Sequence, residues 1–148
     1  MGVKFVFKIE DMEFPLDRFY YIKDGAHIWL KLEKNEIKLG LDSFAAQLAG
    51  PIEYIIINKG KVKSNDMIGS FESNKYVNKL YSPISGEINS INKEIIDNPK
   101  QINKNPYCSW ICSIKPDSKL VQGKHIIKGK QKISKWISQE IIRTKSFK

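Results

Sequence analysis

Hydrophobic residues recur at every second position in several short stretches of this chain, and at helical spacing in only one late stretch. Residues 3–9 set Val3, Phe5, Phe7 and Ile9 against Lys4, Val6 and Lys8. Successive side chains of an extended backbone point to opposite faces, so this alternation predicts a first strand. In 27–33, Ile28, Leu30 and Leu32 alternate with Trp29 and Lys31, and Glu36–Leu41 follows the polar pair Lys34-Asn35. The two runs read as a hairpin. Asp42 offers an acceptor to the free N–H groups of a short helix over 43–48, which Gly50-Pro51 stops. Ile52–Ile57 is a strongly apolar strand, ended by the turn residues Asn58-Lys59-Gly60.

A second strand-rich unit begins near Met67. Met67–Ser73 and residues 76–81 are strand-like runs separated by Asn74-Lys75. A link this short predicts a tight hairpin of type I′, with Asn74 at the first φ > 0 position and lysine, less usual there, at the second. Gly86–Ile91 is a further strand, 92–97 a single helical turn closed by Asn98-Pro99, and 110–115 the last expected strand, after a polar loop through Asn105-Pro106. Many short strands with turn signals roughly every 8–12 residues predict a mainly β barrel or sandwich with small helices. Beyond Pro116 the pattern changes. Ile133, Trp136, Ile137 and Ile141 fall on one helical face, with Lys132, Lys135, Gln139 and Arg143 off it. Residues 1–116 are therefore read as one domain. Residues 117–148 are read as an extension whose amphipathic helix, about 131–143, docks on that domain or on a partner.

Charge sharpens that division. The chain of 148 residues carries a formal +9. From Asp117 onward there are nine Lys/Arg and two acids, so the extension holds +7 and the body only +2. Such a tail suits a solvated face, or contact with nucleic acid, an anionic membrane or an acidic protein. Nucleic-acid binding is not expected, because the β body lacks a basic surface interleaved with aromatics. The start alternates and carries acids early, unlike a signal peptide, and no apolar run approaches the roughly 18 residues of a membrane helix. A soluble, cytoplasmic monomer is expected, with no membrane partner. Cys108 and Cys112 flank Trp110; on one strand they would lie roughly 13 Å apart, too far to bridge, so free thiols are expected. No metal site is expected, since His27 and His125 lack ligand spacing to the cysteines. Neither histidine has a readable nucleophile partner and no glycine loop could cradle phosphate, so no catalytic residues are assigned.

Lysine at an exposed turn is commonplace, and Lys75 alone says little. Its surroundings say more: Gly69-Ser-Phe-Glu-Ser-Asn-Lys75-Tyr-Val-Asn-Lys-Leu-Tyr-Ser-Pro-Ile-Ser-Gly-Glu87. This run resembles the H protein of the glycine cleavage system, whose lipoylation site reads Glu-Ser-x-Lys and is succeeded by Tyr/Ala-Ser/Ala-Pro-x-Ser-Gly-Glu. Glu72, Ser73 and Lys75 match the lipoylation motif; Tyr81, Ser82, Pro83, Ser85, Gly86 and Glu87 match the family's second run. His27-Ile-Trp29 resembles the family's His-Glu-Trp strand. Leu39-Gly-Leu-Asp-Ser-Phe-Ala-Ala-Gln47 resembles its Val-Gly-Ile-Thr-x-Ala-Gln segment. Asp97-Asn-Pro, Ile102-Asn103 and Asn105-Pro-Tyr107 resemble its Asp-Asn-Pro, Val-Asn and Asp-Pro-Tyr-Gly run. These motifs occur in the family's order over roughly residues 14–116.

The resemblance implies a lipoyl/biotinyl-type flattened β-barrel, a hybrid-motif sandwich, and a non-catalytic carrier with lipoate covalently on Lys75. Biotinyl domains share the fold but set methionines on both sides of the lysine; Asn74 and Tyr76 stand there, which favours lipoate. By the same analogy Glu72, Ser73, Asn74 and Tyr76 are recognition residues for lipoate ligase or octanoyl transferase. His27 would lie near the arm's resting cavity, its other reading being a structural strand histidine, and Pro83 and Gly86 would form the turn after the hairpin. The implied partners are glycine decarboxylase, aminomethyltransferase and dihydrolipoamide dehydrogenase. Departures exist: Ile28 replaces the glutamate of His-Glu-Trp, Tyr76-Val77 replace small residues, Cys108 replaces glycine, and the tail is basic. These resemble H-like lipoate-binding proteins that carry sulfur intermediates for a heterodisulfide-reductase-like complex. That pathway, and an interaction domain that has lost lipoylation, are the alternatives.

Overall fold

A computed structural model describes residues 5–118 and 121–145. Strands β1 (Val6–Ile9) and β2 (Met12–Pro15) form a small hairpin. Next come β3 (Phe19–Tyr21), a 3-10 turn, β4 (Ile28–Glu33), β5 (Glu36–Leu41) and helix α1 (Ser43–Ala49). Strands β6 (Ile52–Ile57), β7 (Gly60–Val62), β8 (Met67–Ser73), β9 (Val77–Tyr81) and β10 (Gly86–Ile91) come after it. The short helices α2 (Lys93–Asp97) and α3 (Gln101–Lys104) lead to β11 (Cys112–Pro116), β12 (Ile126–Ile127) and α4 (Lys130–Lys145).

Seven strands pair antiparallel in the order β12-β3-β4-β5-β11-β10-β7, and three in the order β6-β8-β9. The mainly β expectation holds, and the two sheets face each other as a flattened sandwich that does not close into a barrel. One core lies between them, with Leu30, Ile37, Ile52, Ile88 and Ile114 almost wholly buried. A second core covers the opposite side of β3–β4. There Tyr20 and Trp29 meet Phe14 of β2, Phe44 of α1, and Ile133, Trp136 and Ile137 of α4. Strand β4 is thus buried on both faces, Ile28 and Leu30 toward one core and Trp29 toward the other.

The described residues of the 117–148 segment pack against the rest. β12 pairs with β3, and α4 completes the second core. Burying a large apolar side chain contributes about 1.5–3 kcal/mol, so Ile133, Trp136 and Ile137 hold α4 firmly. Among the described residues no helix is long and apolar enough to cross a membrane.

Several expectations need correction. The part of the first strand expected at 3–4 lies outside the described residues, and the strand proper starts at Val6. Strands β2 and β3 had no periodic signal, being four and three residues long. The expected last strand starts at Cys112, not at 110, and β12 comes after it. Cys108 sits in a turn, so the two free cysteines do not share a strand. Burial pushes the Cys112 thiol up to about 12. Gly86 was expected to permit a turn, yet it has no positive φ and opens β10. A Cβ there would lie 2.3 Å from the Lys115 carbonyl oxygen, so glycine is required by close backbone approach to β11. Pro83 does lie in the bend between β9 and β10, buried.

Candidate carrier-lysine site

The β8–β9 hairpin pairs Glu72 with Val77, and the Ser73 N–H donates to the Tyr76 carbonyl at 2.9 Å. Neither Asn74 nor Lys75 has positive φ, so the link is not the type I′ turn expected. The reason lies in Ser73. Its side chain is buried, and its hydroxyl oxygen accepts from the N–H groups of both Lys75 and Tyr76 at 3.2 Å. A local hydroxyl acceptor satisfies the tip without the left-handed backbone that Asn74 would have supplied.

Lys75 is exposed and, among the described residues, makes no ion pair. Its stem runs close to the end of α1, where Gly50 (φ +72) closes the helix. A Cβ on Gly50 would meet Cδ and Cε of Lys75 at 3.9 Å. Glu72 and Asn74 are exposed, and Tyr76 is 39% exposed.

Two clefts flank the tip. One, of about 610 Å³, is lined by Lys75 itself with Met12, Phe44, Gln47 and Ile141. The other, of about 570 Å³, lies against His27, Ala45, Phe71, Leu80 and Arg143. Leu48, Tyr76 and Thr144 line both. The end of α4 therefore walls both clefts beside Tyr76.

His27 lines the second cleft but is buried, and both ring nitrogens are engaged. Nδ1 lies 2.9 Å from Asp42 Oδ2, and Nε2 lies 2.7 Å from Glu140 Oε1. The ring is stacked between Phe44 and Trp136, with centroids 4.3 and 4.5 Å away. Burial alone would lower the His27 pKa, but the two carboxylates outweigh it and raise it. Burial likewise opposes ionisation of Glu140, yet hydrogen bonds from His27 and Arg143 bring its pKa down to about 2. Arg143 completes the cluster, donating to Glu140 from Nε at 2.7 Å. His27 and its two acids tie the start of β4, the N-terminus of α1 and α4 together.

Sequence reasoning missed Glu140, Thr144, Leu48 and Gly50. One signal was available for Glu140. It lies three and four positions after Ile137 and Trp136, on the apolar face of the helix, where a charge needs a partner.

The family model described as glycine cleavage H-protein matches residues 19–140, from β3 into α4. The chain belongs to the glycine cleavage H-protein family. That family consists of lipoyl carriers. Among family relatives, the chain is 39% identical to the probable glycine cleavage system H protein 3 of Sulfurisphaera tokodaii over 76% of its own length and 82% of the relative's. It is 37% identical to the probable glycine cleavage system H protein of Pyrococcus abyssi, over 67% and 75% respectively. The fold is similar to the crystal structure of a glycine cleavage system H protein from Mycobacterium marinum, with TM-score 0.70 and 25% identity, covering 85% of this chain and 98% of that one.

Proposed function

We propose that Lys75 bears lipoate in amide linkage and that the protein presents this arm in turn to glycine decarboxylase, aminomethyltransferase and dihydrolipoamide dehydrogenase. The observation that carries the reading is an exposed amine at a hairpin tip, free of any ion pair among the described residues and flanked by two clefts. These features suit the group: the amine is reachable, and Met12, Phe44, Leu48 and Ile141 give a tethered hydrocarbon apolar surface nearby. When bound, lipoate supplies two-electron thiol–disulfide chemistry and carriage of the aminomethyl group between the partners.

Attachment by lipoate ligase or octanoyl transferase bonds the acyl carbon of an activated donor to Nζ. The donor's leaving group and a proton depart, and a neutral amide replaces the charge. The chain's own residues do the positioning. Ser73 stiffens the tip through its two accepted hydrogen bonds, so recognition of Ser73 would act through the shape it imposes. Glu72, exposed three residues before the lysine, remains available to a partner's cation. His27 acts by holding α4 in place, which builds the cleft walls around Tyr76.

Intact-mass spectrometry after incubation with lipoate ligase, lipoate and ATP tests the site. One lipoyl increment is expected on the wild type and none on Lys75→Ala; an increment on Lys79 instead would overturn the assignment. The lipoylated protein should then support glycine–bicarbonate exchange with glycine decarboxylase, and failure to do so would overturn the pathway.

A further inference from the structure

Nine large apolar side chains are prominently exposed among the described residues, and five of them lie on β6, β8 and β9. The registers set them on one face. Tyr54, Glu72 and Val77 form a cross-strand row next to the hairpin tip; Ile56, Ser70 and Lys79 form the next; Met67 and Tyr81 lie beyond. Tyr54 is 62% exposed, Ile56 61% and Val77 72%. The alternate residues Ile55, Phe71 and Leu80 point inward to the core. Isolated exposed apolar residues are ordinary, but a contiguous set marks an interaction surface.

The charge of this sheet is also unlike the rest of the molecule. In a chain of 25 Lys/Arg, the three strands contain one, Lys79, against the acids Glu53 and Glu72. Depletion of lysine with enrichment of tyrosine and methionine is the composition of an interface centre.

The face also addresses a problem of choice. Lys79 is exposed only four residues from Lys75 and on the same hairpin, so exposure cannot distinguish them. Lys79 lies within the apolar face, whereas Lys75 projects at its end. A protein seated on the face covers the first and leaves the second at its margin.

We propose that the outer face of the β6–β8–β9 sheet is the docking surface for the enzyme that acylates Lys75, which brings an apolar seat and a basic group opposite Glu72. This rests on Lys75 being the acylated residue. Lysine selection then depends on the seating of the sheet, with Tyr54, Ile56 and Val77 as the apolar contacts.

The test compares the rate of lipoyl transfer by lipoate ligase, monitored by intact mass, between wild type and a Tyr54→Ser/Ile56→Ser/Val77→Ser variant. A Phe5→Ser/Leu32→Ser variant, altered at exposed apolar residues elsewhere, serves as control. At unchanged Tm, the face variant should lose at least tenfold in kcat/KM, mainly through KM, and the control should match wild type. Should the triple variant melt early, Tyr54→Thr and Val77→Thr, which suit strands, should each give a loss of about threefold or more. Equal rates for face variants and wild type, both modified at Lys75, would overturn the docking surface alone. So would a wild-type dimer that the face substitutions convert to monomer without slowing transfer. A wild type left unmodified at Lys75 would instead overturn the assignment of the carrier lysine.

Discussion

Two hairpins in this molecule end in short links that each expose a lysine, and they differ in everything around it. The β4–β5 hairpin closes on the pair Glu33–Glu36, with Lys34 held at φ 56. Both its strands lie inside the seven-stranded sheet, and its open end is tied by His27 and Asp42. The β8–β9 hairpin has one strand at a sheet edge, a tip held by the Ser73 hydroxyl, and two adjoining clefts beside it. A turn lysine is therefore not what distinguishes a carrier site. The proposal for Lys75 rests instead on a tip stiffened from within its own hairpin and on open space for the group it would bear.

The largest effect should separate the two lysines. Lys34→Ala should leave lipoyl transfer unchanged while Lys75→Ala removes it entirely, as read by intact mass. Next comes the tie at the base of the first hairpin. A hydrogen bond to a charged group contributes about 1.5–3 kcal/mol, so Glu140→Gln should cost about that much by chemical denaturation at pH 5.5. The pH dependence has a definite sign. The raised His27 pKa contributes stability that is full below its ordinary 6.5 and fades as pH rises through the raised value. The lowered Glu140 contributes stability that is full above its ordinary 4.5 and fades as pH falls toward about 2. Wild type and Glu140→Gln should thus differ most between about 4.5 and 6.5, narrow at high pH to the share that Arg143 still supplies, and converge as pH falls toward about 2; a constant gap would contradict the charged cluster.

Ser73→Ala withdraws the acceptor from two backbone N–H groups and should cost about 1 kcal/mol. It should also slow lipoyl transfer severalfold, because the tip loses its internal brace. The smallest effect belongs to the other tip. Lys34→Gly relieves left-handed strain, offset by unfolded-state entropy, for a net gain of about 0.5 kcal/mol in stability with no change in transfer.

How far the sequence disclosed this arrangement depended on length and locality. Ile52–Ile57, Met67–Ser73 and Gly86–Ile91 were legible to the residue, since each alternates or runs apolar between strong turn residues. The Asp42 cap was legible because capping is local; its Oδ1 accepts from the Ala45 N–H at 2.9 Å. The two-residue β12 and four-residue α3 were too short to carry a period. The hairpin tip was legible as a location but misread in conformation, because Asn74 suggested left-handed backbone and the adjacent serine offered another solution. The bond between His27 and Glu140 spans 113 positions and could only be suspected from an acid on an apolar helix face.

The root of the Lys75 side chain has a geometric consequence. Its stem passes over the backbone at Gly50, so whatever hangs from Nζ pivots beside a wall and not at the end of a mast. A tether beside a wall explores something like a hemisphere instead of a sphere, which raises the local density of its tip by roughly a factor of two. Leu48 and Thr144 stand at the rim of that half-space, so the first surface such a swinging group would sample is the protein's own.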